Sequence, residues 1–358
     1  MGQSMSRSEV ETQSGSGTSV LSASAGAKIA SSTSNPISEK YVNELCARIN
    51  KVAAKASHKL QDFTQFHTAL QEIQRYQKDP FPNEPDRDEA VKPFLFWCRR
   101  QKITARGVAV AAYPDAGLGL MAARDLESEE RVIKVPWEAV ISSRQAVEQF
   151  GQLVNHAGID ASWLQVYLAL HLINERVDPN SAWLPYIHVL PKVCPGHPLF
   201  YGPTEFEKIR GSKFYSEGLN LFYEMAAQYA GLYKEIFHQW TQNRQYGNLT
   251  PENFTFEAYR WALTVALSRS LRATETDGET VTVMVPFWDL CNHGEECLTS
   301  RVELGSEEEE DTPGHIPGLY AYATRAIQAG EQLFICYNES SSPEEYFTVW
   351  GLILEGKT

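Results

Sequence analysis

Asp289, Asn292 and His293 put a carboxylate, an amide and an imidazole into five consecutive positions of Val285–His293, VPFWDLCNH, and a phenol follows at Tyr337. Such a set can hold a polar ligand by hydrogen bonds and orient a reacting group beside it. The same stretch invites a metal reading, because Cys291-x-His293-x3-Cys297 offers three soft ligands at close range. A structural zinc needs four ligands, usually as paired Cys or His. No CxxC occurs and Cys336 lies in an apolar run, so no metal is expected. The plain alternative is a buried Asn and His that only satisfy turn backbone.

The elements that must position these groups are mainly strands. Val281–Val285 alternates β-formers and ends at Pro286, so the polar stretch begins where a strand runs out. Gly318–Ala323 and Gln332–Tyr337 read as two more strands, with Ala329–Glu331 as a turn between them. A strand end rich in Asn and His and a Tyr closing a later strand can form two walls of one pocket. Upstream, Val108–Ala112 and a return strand from Leu118 flank Gly117-x-Gly119, where the missing Cβ atoms let backbone approach a ligand. This is not a dinucleotide fingerprint, since the third glycine and the following helix are missing. Arg131–Val135 is a further strand, closed by Pro136.

Two arginines stand out. Phe254–Arg272 reads as a helix with Trp261, Val265 and Arg269 on one face. Arg269 thus emerges from an apolar stripe and needs a partner, either Asp289 or a ligand carboxylate. Arg87, between Asp86 and Asp88 in a connector before a helix at Val91–Gln101, reads by itself as a surface ion pair.

WDLCNH followed by a strand ending in Tyr resembles the core of the SET-domain methyltransferases. It is most similar to the branch holding the Rubisco large-subunit lysine methyltransferases and the actin-histidine N-methyltransferases. Asp86–Asp88, Gly117–Leu120 with Ala123–Asp125, Asn174–Ile187, and Ala258–Ala262 through Ser268–Arg269 match in the family's order. The resemblance implies an α+β fold: a mainly β SET core of small sheets with a C-terminal pseudoknot, a large helical insert and N-terminal helices. It implies S-adenosyl-L-methionine (SAM) as cofactor, bound by Arg87, Ala116, Gly117, Leu118, Arg269, Asp289, Leu290, Cys291, Asn292, His293, Trp350, Gly351 and Leu352. Tyr337 becomes the catalytic residue lining the methyl channel, and Trp288, Ser270 and Leu271 the substrate contacts.

Two departures matter. Leu352 stands where the family has a Phe against the adenine, and Ser270–Leu271 where the actin-histidine enzymes carry a Gln-Asn pair whose Asn orients the target ring. The expected activity is protein N-methylation, of a histidine in actin first. Lysine methylation on the same fold, a non-catalytic SET-like binding module and a zinc-stabilised scaffold are the alternatives.

The remaining sequence frames this site. A chain of 358 residues with 43% hydrophobic content can bury a sizeable core. Its formal charge of −13 is unlike the basic stripes of nucleic-acid binders, so no nucleic-acid partner is expected. No apolar run approaches membrane-spanning length. Six scattered cysteines read as free thiols of a reducing compartment. A monomer is expected, in the cytoplasm and with the nucleus as a second location.

Residues 1–37, rich in Ser, Gly, Thr and Ala, read as a disordered tail. Met1–Ser6 fits the acylation pattern, and a membrane partner enters only if Gly2 is myristoylated. Residues 38–104 carry two helices and the proline-broken connector, and 105–141 the first part of the core. The helical insert takes 142–249, where no catalytic constellation is expected. The second part of the core with the pseudoknot takes 250–352. A tail at 353–358 stands where the branch's C-terminal substrate-binding domain usually follows, and that domain is expected to be absent. Glu307–Asp311 reads as a solvated loop.

Overall fold

The computed structural model describes residues 39–354 other than 56, 115, 276, 295–296 and 304–316. The tail bearing Gly2 and the Glu307–Asp311 run lie outside the described residues. Helix α1 spans Glu39–Ala53 and α2 spans Leu60–Tyr76, as their apolar spacing demands. Phe63, Phe66, Leu70 and Ile73 bury one face of α2. Phe63 meets Phe206 and Phe222 edge-on, with centroids 4.8 and 5.2 Å away. A fully buried Phe contributes roughly 2–3 kcal/mol, enough to fix α2 against the later helices.

Helix α3 runs Arg87–Arg100 and so begins at Arg87 itself, not at Val91. Asp88 and Glu89 lie in its first turn, where carboxylates favour the positive end of the helix dipole. Strands β1 (Thr104–Ala105), β2 (Val108–Tyr113), β3 (Gly117–Ala122), β4 (Arg131–Pro136) and β5 (Ile141–Ser142) follow. Helices α4 (Ser143–His156), α5 (Leu164–Val177), α6 (Leu184–Ile187), α7 (Pro203–Lys208), α8 (Lys213–Thr241) and α9 (Phe256–Arg269) come next. The chain then returns to strands: β6 (Ser270–Thr274), β7 (Thr280–Met284), β8 (Asn292–His293), β9 (Leu298–Glu303), β10 (Gly318–Ala323) and β11 (Gln332–Ile335).

Three small sheets result, ordered β1-β4-β10-β9, β2-β3-β11-β8 and β5-β7-β6. The α+β architecture with small sheets and a large block of helices is the one expected. Two elements differ from the expectation. The helix thought to reach Arg272 stops at Arg269, because Ser270–Thr274 pairs with β7, Ser270 opposite Met284. Leu298–Glu303, not anticipated as a strand, pairs along β10.

The strand that organises the site is β11. Its first half pairs antiparallel with β3, Leu333 opposite Leu120. Its second half pairs parallel with β8, Phe334 opposite Asn292 and Ile335 opposite His293. One strand therefore joins the Gly117–Gly119 region to the Asn-His pair and delivers Tyr337 just beyond them. Helix α10 (Pro343–Glu345) continues into a wide turn at Tyr346–Trp350, which ends at Gly351 with φ 69°. No described helix is long and apolar enough to cross a membrane.

Candidate active site

After β7 the chain turns sharply. Phe287 adopts φ 73°, a conformation costly for a bulky residue and typical of functional turns. Trp288–Leu290 form one 3-10 turn that buries Trp288, Leu290 and Cys291 and delivers Asn292 and His293 as β8. The Tyr337 backbone N–H donates to His293 Nδ1 at 3.3 Å, and the Tyr337 hydroxyl donates to the Cys291 carbonyl at 3.1 Å. The His293 ring centroid lies 5.1 Å from those of both Tyr337 and Tyr346. Burial pushes the Tyr337 phenol up to about 12, so it keeps its proton at neutral pH.

Arg269 ends α9 facing Asp289. Its Nη1 donates to the Asp289 carbonyl and lies 3.7 Å from the carboxylate Oδ2. Burial works against the Arg269 charge, but Asp289 leads the groups that raise it above its ordinary value. Burial raises the Asp289 carboxyl, and Arg269 pulls the other way. Arg87 Nε donates to the Val189 carbonyl at 2.5 Å. Burial, then the neighbouring Arg269, lower Arg87 to about 10, and it remains a cation at neutral pH. The surface ion pair that Asp86 and Asp88 suggested is not what it makes.

Strand β3 closes on these groups. A methyl at Gly117 would lie 3.0 Å from Arg87 Nη1, and one at Gly119 would lie 2.7 Å from Asn292 Nδ2. Leu118 between them is buried, and the Ala116 N–H donates to the Tyr113 carbonyl at 3.2 Å in the preceding turn. Four buried polar atoms here have no hydrogen-bond partner: Arg87 Nη2, Arg269 Nε, Asn292 Nδ2 and Asp289 Oδ1. Each such atom costs about 1–3 kcal/mol unless something satisfies it. Two guanidinium groups against one carboxylate leave an excess positive charge. The arrangement is chemically ready for a small ligand with a carboxylate, and Asp289 Oδ1 can accept from a donor on the same ligand.

Next to this group is a cavity of about 200 Å3. Ser270, Leu271, Trp288 and Tyr337 line it together with Arg269, Asp289 and Cys291. Trp350, expected among the cofactor residues, lines this cavity too, its ring centroid 5.5 Å from that of Tyr337. Gly351 and Leu352 follow it, and the Leu352 N–H donates to the Tyr346 carbonyl. A larger groove of about 660 Å3 involves Asn50, His156 and Lys234 instead and includes none of these residues. Among the described residues no group of three His, Cys, Asp or Glu side chains is placed to hold a metal. Cys297 Sγ instead accepts from the Phe334 N–H at 2.9 Å.

Sequence reasoning missed one contact. Tyr186, in the insert, donates its hydroxyl to Asp289 Oδ2 at 2.7 Å, so the insert does reach the site. The available signal was chemical: a tyrosine buried in an apolar helical turn needs a partner for its hydroxyl.

The sheets, the half-buried arginines and the Asn-His-Tyr cluster define a SET-type domain. The SET domain family model matches residues 117–338, more than half of the chain, and the chain belongs to that family. It is 28% identical over 307 residues to an actin-histidine N-methyltransferase of Rhinolophus ferrumequinum, covering 84% of this chain and 49% of the relative. The Homo sapiens actin-histidine N-methyltransferase is 27% identical over 307 residues, with coverages of 84% and 49%. The chain thus spans about half the length of the curated relatives it matches. Among solved structures, the SET domain of LSMT bound to lysine and AdoHcy superposes with TM-score 0.60 at 21% identity, covering 75% of this chain and 58% of that one. Rubisco LSMT bound to AdoMet gives 0.52 at 21%, with 75% and 57% covered. The SET fold is therefore shared with these structures.

Proposed function

We propose that the chain is a SAM-dependent protein N-methyltransferase that acts on a histidine of actin. The observation that carries the reading is the set of unpartnered buried atoms on Arg87, Arg269, Asn292 and Asp289 beside a cavity that Tyr337 lines. Those atoms fit the α-carboxylate and α-ammonium of an amino-acid end, with donors for the first and an acceptor for the second. When bound, SAM supplies an activated methyl on its sulfonium. Arg87, Arg269 and Asn292 would hold it, with Gly117 and Leu118 against its body. Tyr337, still protonated, keeps its hydroxyl fixed on Cys291, where its oxygen can meet polarised methyl hydrogens by weak CH···O contacts. Trp288, Leu271 and Trp350 exclude water and present flat or apolar walls to the target ring.

Histidine is favoured over lysine by its own acid–base chemistry. A lysine must lose a proton from a reference pKa of roughly 10.4, whereas an imidazole near 6.5 is largely neutral already. Among the described residues the one carboxylate lining the cavity is that of Asp289, whose Oδ2 accepts from Tyr186. Similarity to the actin-histidine N-methyltransferases over 84% of the chain supports actin as the substrate. Six unpaired cysteines suit a reducing compartment, which supports the cytoplasm as the proposed location, with the nucleus as a second. Mass spectrometry of actin and of its peptides after incubation with SAM tests the proposal. Methyl on histidine, increased by Leu271→Asn, is expected. Methyl on lysine alone, or none, overturns the substrate assignment.

A further inference from the structure

We infer that Tyr186 is a positioning residue through which the helical insert sets the geometry of the proposed cofactor site. The inference rests on the reading above and extends it to a residue that touches neither ligand nor cavity. The Tyr186 ring is fully buried, with the rings of Phe94 and Trp97 at 6.2 and 6.3 Å, so its hydroxyl has little freedom. That hydroxyl makes the only side-chain hydrogen bond to the Asp289 carboxylate among the described residues, at 2.7 Å. Arg269 Nη1 is 3.7 Å from the same oxygen, beyond hydrogen-bond range, and donates to the Asp289 carbonyl instead.

Asp289 is thus gripped twice, its carboxylate by the insert and its carbonyl by α9. The division keeps the guanidinium available. A carboxylate side chain 2% exposed cannot turn to water if Tyr186 lets go. The nearest cation it can turn to is Arg269, and a full ion pair there would draw in the donor Nε that now has no partner. Tyr186 holds Asp289 back from that pairing, so Arg269 stays open for a ligand carboxylate.

Calorimetric titration of SAM into wild type, Tyr186→Phe, Asp289→Ala and the double variant tests this. Tyr186→Phe keeps the ring packing and is expected to lower SAM affinity about tenfold while the ligand-free melting temperature stays near that of wild type. In the Asp289→Ala background the same substitution is expected to change affinity no further. Equal affinity of Tyr186→Phe and wild type overturns the inference, as does an equal loss in both backgrounds. Wild type that binds no SAM is a different result: it refutes the proposed function and this inference with it.

Discussion

The Tyr337 hydroxyl donates to the main-chain carbonyl of Cys291 at 3.1 Å, across the parallel pairing that sets Ile335 opposite His293. The phenol is therefore held by the backbone of the same stretch that carries Asn292. Its direction is set by the fold and not by a mobile side chain.

Replacing Tyr337 by Phe removes that anchor and the hydroxyl at the cavity while keeping the ring against His293. Methyl transfer measured in a single turnover is expected to fall by about tenfold or more, with SAM affinity little changed. An unchanged rate means that the hydroxyl has no part in the reaction.

Gly351 has φ 69°, and a methyl there would lie 2.8 Å from the Gly196 carbonyl oxygen and from His197 Cα. Backbone cannot swing aside as a side-chain tip can. Gly351→Ala is expected to destabilise the protein by about 1–3 kcal/mol, read as a lower midpoint in denaturant titration. It should also loosen Trp350 beside Tyr337. A midpoint equal to that of wild type would show that the 194–199 loop yields freely.

Acid should weaken the same junction. Burial lowers His197 to about 4, against about 6.5 in an unfolded chain. Between those values the unfolded state binds a proton that the folded state does not, so stability falls as pH drops from about 6.5 through 4. The full effect is about 3 kcal/mol. Thermal melts across this range should show the loss, and His197→Gln should make it shallower. It should not vanish, since burial also lowers His67, His171 and His188. An identical pH slope in His197→Gln rules out His197 as the source.

Much of this was legible in the residues. The spacing of Phe63, Phe66, Leu70 and Ile73 gave a helix with one buried face, and the VPFWDLCNH stretch gave a strand end with three polar groups. Arg269 rising from an apolar stripe called for Asp289 or a ligand carboxylate, and it donates to the Asp289 main-chain carbonyl. Other features depend on partners far along the chain. Ser270–Thr274 carries no Gly or Pro to end the preceding helix, and its hairpin with β7 decides its state. Tyr186 lies 103 residues before Asp289, and no local pattern connects a helical turn of the insert to that carboxylate. The double pairing of β11 is also non-local: half its register belongs to β3 and half to β8.

Titration calorimetry of SAM into the wild-type protein and Asn292→Ala shows whether the unpartnered atoms hold a cofactor. Asn292 Nδ2 is buried without a partner, and Gly119 leaves the space beside it, so a bound cofactor should satisfy it. Saturable binding to wild type at a single site is expected, weakened in Asn292→Ala by about 1–3 kcal/mol. No heat of binding to wild type, together with no rise in its melting temperature on adding SAM, would contradict it.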